Sequence, residues 1–543
     1  MYLCAKRSSV RNSPLNWCSL EFRRVLIRLK MEKQRSKIAA WYDGRSVFVT
    51  GGSGFMGKVM LEKLLYSCDR IKTIYILLRE KRGHSPNQRI EDMWKMPVFE
   101  RLRRKDSNAF KKIVPVCGDL YTENLGLNPQ DLNLLIENVS VVFHMAATLK
   151  LEASLKDAIE QNTSGTAMVL DVVKQLKKLV AFCHFSTAYC SADIEYFEER
   201  VYECKDKPRQ VIELVRWLNP KALEIATKKI IAPHPNTYTY SKRLAETLVA
   251  NENSNIPVCI IRPAVVGPAV LEPLPGWVDT LNGPMGLLVA SSKGVLRSIH
   301  CIGTNKAQVI PVDFAINASI TIAYKLGNNK RIGEVPVYNL TQDAVKPITM
   351  GEILDKGKSI VHANPFEMQV WYPDGDIRSS KLWHDICCIF MHWLPAFFID
   401  FIMLVIRQKT FMIRIQKKIH QGLELLQFFT VRNWNFASEK FLALWDEMDE
   451  VDRETFSMDF DTLPIDKYLE NSILGTRQYC MKEPLTSLPK CRIQQKILYV
   501  VHKLFVFSVY YYIFYLLSRW IMPIRILYDL LWGTLGHLPL IGN

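Results

Sequence analysis

Apolar and polar positions change period in a repeating way between residues 46 and 263. Ser46-Val47-Phe48-Val49-Thr50 is a strand-length apolar run that breaks at Gly51, Gly54 and Gly57. It resumes as Lys58-Val59-Met60-Leu61-Glu62-Lys63-Leu64-Leu65, so the stretch reads as strand, tight turn, helix. Thr73 to Leu78, Ile113 to Cys117, Val139 to Phe143, Leu179 to Phe185 and Val258 to Pro263 are further strand-length runs. Between them lie helical patterns, including a span near 153–177 that carries Asn162. Another is opened by Asn236-Thr237-Tyr238-Thr239-Tyr240-Ser241-Lys242 and runs through Leu248. This alternation predicts an α/β fold with a parallel sheet and crossover helices.

Past residue 350 the pattern turns helical and rich in aromatics, with Trp371, Trp383, Trp393, Trp434 and Trp445 at positions that read as core. Two later stretches are apolar enough to meet lipid. Residues 386–406 are interrupted by Pro395 and Asp400. An acid at mid-depth is costly in hydrocarbon, so a re-entrant hairpin or buried helix pair competes there with a spanning helix. Residues 497–517 are long enough to cross, at about 1.5 Å per residue against about 30 Å of hydrocarbon. His502 and Lys503 can snorkel. Lys482, Lys490, Arg492 and Lys496 before the span outnumber Arg519 and Arg525 after it, which favours a catalytic body facing the cytosol.

The chain, at 543 residues, exceeds one ordinary core, and two domains with appendages are expected. Its net charge of +16 raises nucleic acid as a partner until the charge is located: ten Lys and Arg against two acids precede residue 40. No zinc-finger spacing or RNA-binding signature follows, so no nucleic-acid partner is expected, whereas an anionic membrane lipid surface is. The tail has no compact apolar core with a small-residue cleavage site, which argues against a secretory signal. Thirteen scattered cysteines, an odd number without C-x-x-C, suit a reducing compartment, and no metal site is expected. Cys117, Cys183 and Cys259 read as small buried thiols in strands.

Gly51, Gly54 and Gly57 suit a turn in which one glycine permits the bend, one lets backbone approach a pyrophosphate, and one lets helix pack on strand. The helix N-terminus then faces the phosphates with unpaired N–H groups. Arg79 ends the second strand, 22 residues past Gly57, where an NAD-preferring site would place an acid. With Lys81 and Arg82 it forms a cationic cluster that favours a 2′-phosphate, hence NADPH. Gly118-Asp119-Leu120 and His144-Met145-Ala146-Ala147 close the third and fourth strands. The alanines let a cofactor ring come close, and His144 reads as structural.

Reducing a carbonyl by hydride leaves a developing alkoxide, which needs a proton donor and a hydrogen-bond partner on the oxygen. Tyr238 and Lys242 stand i, i+4 on one helix face. Lys242 is expected to lower the Tyr238 pKa by favouring phenolate and to reach the nicotinamide ribose. Thr187 or Ser186, at the fifth strand end, is expected to hold the substrate oxygen.

Together these motifs resemble the extended short-chain dehydrogenase/reductases and, within them, the alcohol-forming fatty acyl-CoA reductases, over about residues 40–520. The resemblance rests on Thr50 to Lys58, Ser186-Thr187-Ala188-Tyr189, Tyr238 to Lys242 and Arg262-Pro263. It also rests on Pro311-Val312-Asp313, Val337-Tyr338-Asn339 and Leu394-Pro395-Ala396. Ser53 stands where the family usually has Thr.

The resemblance implies a doubly wound Rossmann-type reductase domain over 41–345 after a basic tail, 1–40. A mostly helical C-terminal domain, 346–480, follows and helps form an acyl tunnel; then come a membrane segment, 497–517, and a tail, 518–543. It implies catalysis by Tyr238, Lys242, Thr187 and Ser186. NADPH contacts are implied for Thr50, Gly51, Ser53, Gly54, Phe55, Met56, Gly57, Arg79, Asp119, Leu120, Ala146, Ala147, Asn162, Tyr238, Lys242 and Pro263. The implied reaction takes long-chain acyl-CoA through an aldehyde to a primary alcohol with two NADPH, at a peroxisomal or endoplasmic reticulum membrane. No acylated cysteine is needed, in keeping with the lack of an evident Cys/His nucleophile arrangement. A membrane-bound sterol or other alcohol dehydrogenase of the extended family would share the cofactor residues but not the helical domain. A non-catalytic membrane relative is the third reading, and intact Tyr238, Lys242 and Ser186-Thr187 argue against it.

Overall fold

A computed structural model describes residues 35–535 apart from 82, 253–255, 330–332 and 343–346. Most of the basic tail, Arg82, the boundary near 345 and the last eight residues lie outside the described residues.

Seven strands form one parallel sheet: β1 (Ser46–Thr50), β2 (Thr73–Leu78), β3 (Ile113–Cys117), β4 (Val139–His144), β5 (Ala181–Phe185), β6 (Val258–Pro263) and β7 (Val337–Leu340). Their order is β7-β6-β5-β4-β1-β2-β3. The order reverses between β1 and β4, which is the topological switch point where doubly wound sheets bind ligands. Alternate side chains enter two cores, so both faces of the sheet are buried. Val47, Val49, Ile76, Phe143 and Ile261 pack into one core, with α1 (Phe55–Ser67) and α3 (Val312–Asn328). Phe48, Leu77, Val142, Phe182 and Ile260 pack into the other, with α2 (Thr237–Asn251).

The sequence reading differs in several places. The span expected to be one helix near 153–177 is broken: Leu155–Ala158 passes through a widened turn, Ile159–Ser164, before Gly165–Val173. That turn carries Asn162, whose side chain bonds both the N–H and the carbonyl of Thr148 rather than following a regular helix face. The polar insertion after β5 contains two Pro-initiated helices, Pro208–Trp217 and Pro220–Ile231. Cys183 and Cys259 are buried as expected, but Cys117 is exposed, because it ends an edge strand. All cysteines among the described residues are free.

The C-terminal part folds back on the reductase sheet. Asn435–Phe436 pairs with Tyr196–Phe197, and the Glu199 carboxylate accepts from the N–H groups of Asn339, Lys440 and Phe441. Beyond Lys381–Cys388 and the turn Ile389–Trp393, α4 (Leu394–Val405) and α5 (Met412–Thr430) form a hairpin. Asp400 explains itself here: its carboxylate accepts from the N–H groups of Phe411, Met412 and Ile413 at 2.8–3.0 Å, capping α5. Trp434 is core, whereas Trp383 is 55% exposed.

The last helix, α6 (Leu488–Leu535), extends well past 497–517 at both ends. Lys381–Val405 and Leu485–Trp520 are both long and apolar enough to cross a membrane.

Candidate active site

The strand ends place the predicted residues around the switch point. Thr50 is in register with His144, and His144 with His184. The Thr50 hydroxyl lies 2.7 Å from His144 Nδ1 and accepts from the Ala146 N–H at 3.3 Å. His144 is buried and bonds Thr166 through Nε2 at 3.1 Å; burial pulls its pKa down to about 3, so it stays neutral. Its role is the structural one read from the sequence.

The glycine turn is built for close approach. Gly51 has φ +78°, and a Cβ there would sit 2.7 Å from the Ala146 nitrogen. A Cβ on Gly57 would sit 2.3 Å from the Gly51 carbonyl oxygen, so only glycine lets the helix seat on the turn. Gly54 caps α1 without a side chain, leaving the N–H groups of the first turn, over Phe55, Met56 and Gly57, open to an anion. Phe55 stacks on Trp277, with centroids 5.5 Å apart. These features fit a dinucleotide pyrophosphate.

At the end of β2, Arg79 donates to Asp119 at 3.1 Å. Sequence reasoning missed Arg89, which donates to the Arg79 carbonyl at 2.8 Å and to the Ser53 hydroxyl at 3.0 Å. The signal was its place in the first helix after β2, Pro86–Trp94, one turn in from a capping box at Ser85. Ser53, Arg79 and Arg89 thus form one polar cluster beside the glycine turn. Leu120 lies half-buried beyond Asp119, against Gly165.

On the other side, Tyr238 and Lys242 project from α2 toward the end of β5. The Thr187 side chain faces the Tyr238 phenol. Lys242 Nζ donates to the Phe185 carbonyl at 2.8 Å. Burial pulls Lys242 down to about 8, with Glu246 acting in the opposite direction. The expected lowering of the Tyr238 phenol by Lys242 is not found: burial pushes it up to about 12, only partly offset by Thr187. The phenol therefore keeps its proton at neutral pH, the form a proton donor needs.

Ser186 is buried and its hydroxyl has no partner among the described residues, an acceptor and donor left for a ligand. Asn162 Nδ2 donates to the Ser241 hydroxyl at 2.9 Å, which in turn donates to the Tyr238 carbonyl at 2.9 Å, tying the widened turn to α2. Pro263 ends β6, and its carbonyl accepts from Ala188 at 3.0 Å. Ala147 continues the β4 exit beside Ala146.

Two further features were not visible in the sequence. His184 is buried with no hydrogen-bond partner among the described residues on either ring nitrogen, 5.4 Å from His144 between ring centroids. Tyr189, two residues past Thr187, meets Phe429, Trp434 and Phe436 edge-on at 5.3–5.7 Å, so aromatics from the C-terminal part wall the site.

Family models described as male sterility protein match residues 49–319 and 391–483. A Drosophila melanogaster relative, provisionally named a fatty acyl-CoA reductase, is 37% identical over 488 residues, covering 89% of this chain and 95% of its own. Human fatty acyl-CoA reductase 1 is 33% identical over 455 residues, covering 84% and 88%. Mouse fatty acyl-CoA reductase 2 is 33% identical over 470 residues, covering 87% and 91%. Among solved structures, the terminal R domain of the myxalamid PKS-NRPS pathway has a TM-score of 0.55 at 16% identity, covering 81% of this chain and 93% of its own. The reductase domain of a Mycobacterium tuberculosis nonribosomal peptide synthetase has a TM-score of 0.53 at 15% identity, covering 84% and 94%. At such identities the likeness is one of fold. The matches to the curated relatives span nearly the whole chain, and the protein belongs to the fatty acyl-CoA reductase family.

Proposed function

We propose that this chain reduces long-chain acyl-CoA to a primary alcohol through an aldehyde, using two NADPH and releasing CoA. The observation that carries this reading is the meeting of α2 with the end of β5, where Lys242, one turn after Tyr238, donates to the Phe185 carbonyl at 2.8 Å and the next residue, Ser186, is buried with its hydroxyl unpartnered among the described residues. When bound, the nicotinamide supplies the hydride in each step. In the first reduction the carbonyl carbon gains hydride, the C–S bond breaks and CoA leaves as thiolate. In the second the aldehyde carbon gains hydride, and the alkoxide oxygen takes the Tyr238 proton. Thr187 and Ser186 hold that oxygen, as donors aimed at the developing charge. Lys242 holds the nicotinamide ribose and fixes α2 against β5.

Preference for NADPH follows from Arg79 and Arg89 beside Ser53: two guanidinium groups and a hydroxyl suit a 2′-phosphate, and Asp119 is already engaged by Arg79. The aromatic wall of Tyr189, Phe429, Trp434 and Phe436 suits an acyl chain and gives the C-terminal part a role a sterol dehydrogenase would not require. The α6 segment spans a peroxisomal or endoplasmic reticulum membrane with the catalytic body in the cytosol, where both NADPH and acyl-CoA are available.

Incubating the full chain in vesicles with NADPH and a panel of acyl-CoAs tests the reading. It requires two NADPH consumed and one CoA thiol released for each alcohol formed. No thiol release from any acyl-CoA, with oxidation of a sterol in a parallel incubation supplied with NADP+ and reducing it to NADPH, would replace it with the dehydrogenase reading.

A further inference from the structure

We propose that the hairpin of α4 and α5 lies in the plane of an anionic membrane leaflet, with the outer face of α4 inserted among the acyl chains without crossing the bilayer. This rests on the membrane placement of α6 given above.

The stretch from Lys381 to Val405 is built inside out. His384, Cys388, His392, Ala396 and Asp400 recur every four residues, and all five are buried against the protein. Large apolar side chains face the other way: Phe390, Leu394, Phe398, Phe401 and Leu404 are each more than half exposed. A helix at a water surface shows the opposite arrangement. An exposed apolar face this long is what a lipid or partner surface requires.

The buried stripe also explains why a helix of spanning length does not span. His392 Nε2 accepts from the Arg297 N–H at 2.9 Å, and His384 Nδ1 lies 2.8 Å from the Ser298 hydroxyl. Asp400 caps α5 with three hydrogen bonds. A transmembrane placement would break the bonds to Arg297 and Ser298 and carry an acid and two imidazoles into hydrocarbon.

Two observations select lipid as the occupant. First, from Phe401 to Leu423 the chain carries Arg407, Lys409, Arg414, Lys417 and Lys418 and no acid, and all five cations are exposed. A cationic belt beside an apolar face matches anionic headgroups over acyl chains. Second, the hairpin and α6 leave the body at the same place. Arg297, whose N–H bonds His392, also clamps Asp374 through its guanidinium at 2.6 and 2.7 Å. Asp374 lies 3.8 Å from His502 of α6, and Trp371 donates to that same imidazole at 3.2 Å. Where α6 enters the bilayer, the outer face of α4 therefore meets its surface. From there α5 leads inward to Phe429, which packs on Tyr189 two residues from Thr187, giving an acyl chain a path from the leaflet to the reaction site.

The test uses the full chain reconstituted in phosphatidylcholine vesicles containing phosphatidylserine. A photoactivatable phosphatidylcholine is included with its diazirine either near the glycerol or at the acyl terminus, and labelled peptides are identified by mass spectrometry. Residues 389–406 should take about fivefold more label from the shallow probe than from the deep one, as an in-plane helix seated 5–10 Å deep requires. Residues 504–517 should take both. Equal labelling of 389–406 by the two probes would mean a spanning segment and overturn the proposal. So would no labelling of 389–406 while 504–517 is labelled, since the face would then be covered by a second copy or another protein. Enzymatic activity is not read, so this outcome stands apart from that of the proposed reaction.

Discussion

Lys242 and Phe185 are joined by a hydrogen bond of 2.8 Å from the ammonium to the carbonyl that ends β5. The next residues are Ser186 and Thr187, so this bond fixes α2, which carries Tyr238 one turn earlier, at that strand end.

That buried ammonium has a pH signature. Its pKa falls from 10.5 to about 8 on burial, so the folded protein releases this proton before the unfolded chain does. Folding is penalised while the group is charged, below about pH 8, and the penalty is relieved as pH rises from 8 toward 10.5. Relative to Lys242→Met, the wild type should therefore gain up to about 3 kcal/mol over that range. Denaturant midpoints of both proteins at several pH values measure this; a constant difference would mean that Lys242 titrates alike in both states.

Glu246 and Arg262 form a second tie, between α2 and β6, with both side chains fully buried. The guanidinium donates twice to the carboxylate, at 2.5 and 2.8 Å, and also reaches the Glu198 and Arg200 carbonyls. Glu246→Ala leaves that guanidinium uncompensated and should cost about 3–5 kcal/mol. Thermal unfolding with and without cofactor reads the loss.

For cofactor choice, Arg79→Asp and Arg89→Gln should each raise KM for NADPH by about tenfold or more, with little change for NADH, because only the former carries the extra phosphate. Equal losses for both cofactors would make these arginines supports of the fold.

Removing residues 508–543 retains the contacts of Trp371 with His502 and Phe505 and cuts the 497–517 span about in half, too short to cross about 30 Å of hydrocarbon. The shortened protein should become extractable by carbonate yet still bind anionic vesicles in a salt-sensitive way, through the hairpin. Phe398→Glu in the same background should abolish that binding, as sedimentation with vesicles will report.

The sheet was legible because its chemistry is local. Val47 and Val49 enter one core and Phe48 the other, so each run reads as strand, and the Gly51-Gly54-Gly57 turn carries its reason in its spacing. That Tyr238 and Lys242 share a face follows from helical periodicity, and the place of Thr187 follows from its strand end. The contact of Arg89 with Ser53 does not follow in this way, since it spans 36 positions and the place of Arg89 one turn into the helix after β2 names no partner. The pKa of Tyr238 was misjudged for a related reason: an i, i+4 spacing gives a shared face, but the Phe185 carbonyl that claims the Lys242 ammonium lies 57 residues away. Asp400 read as an intruder in an apolar run until α5, which it caps, could be seen.

The most direct measurement of the central claim sets turnover against cofactor binding in Tyr238→Phe. In the proposed mechanism the phenol donates the proton but is not what holds the cofactor, so NADPH consumption with long-chain acyl-CoA should fall by about 10²–10⁴-fold. NADPH affinity, by fluorescence titration of the same protein, should stay within about twofold, since the glycine turn and the arginines are untouched. Near-normal turnover in this variant would contradict the assignment of Tyr238 as proton donor.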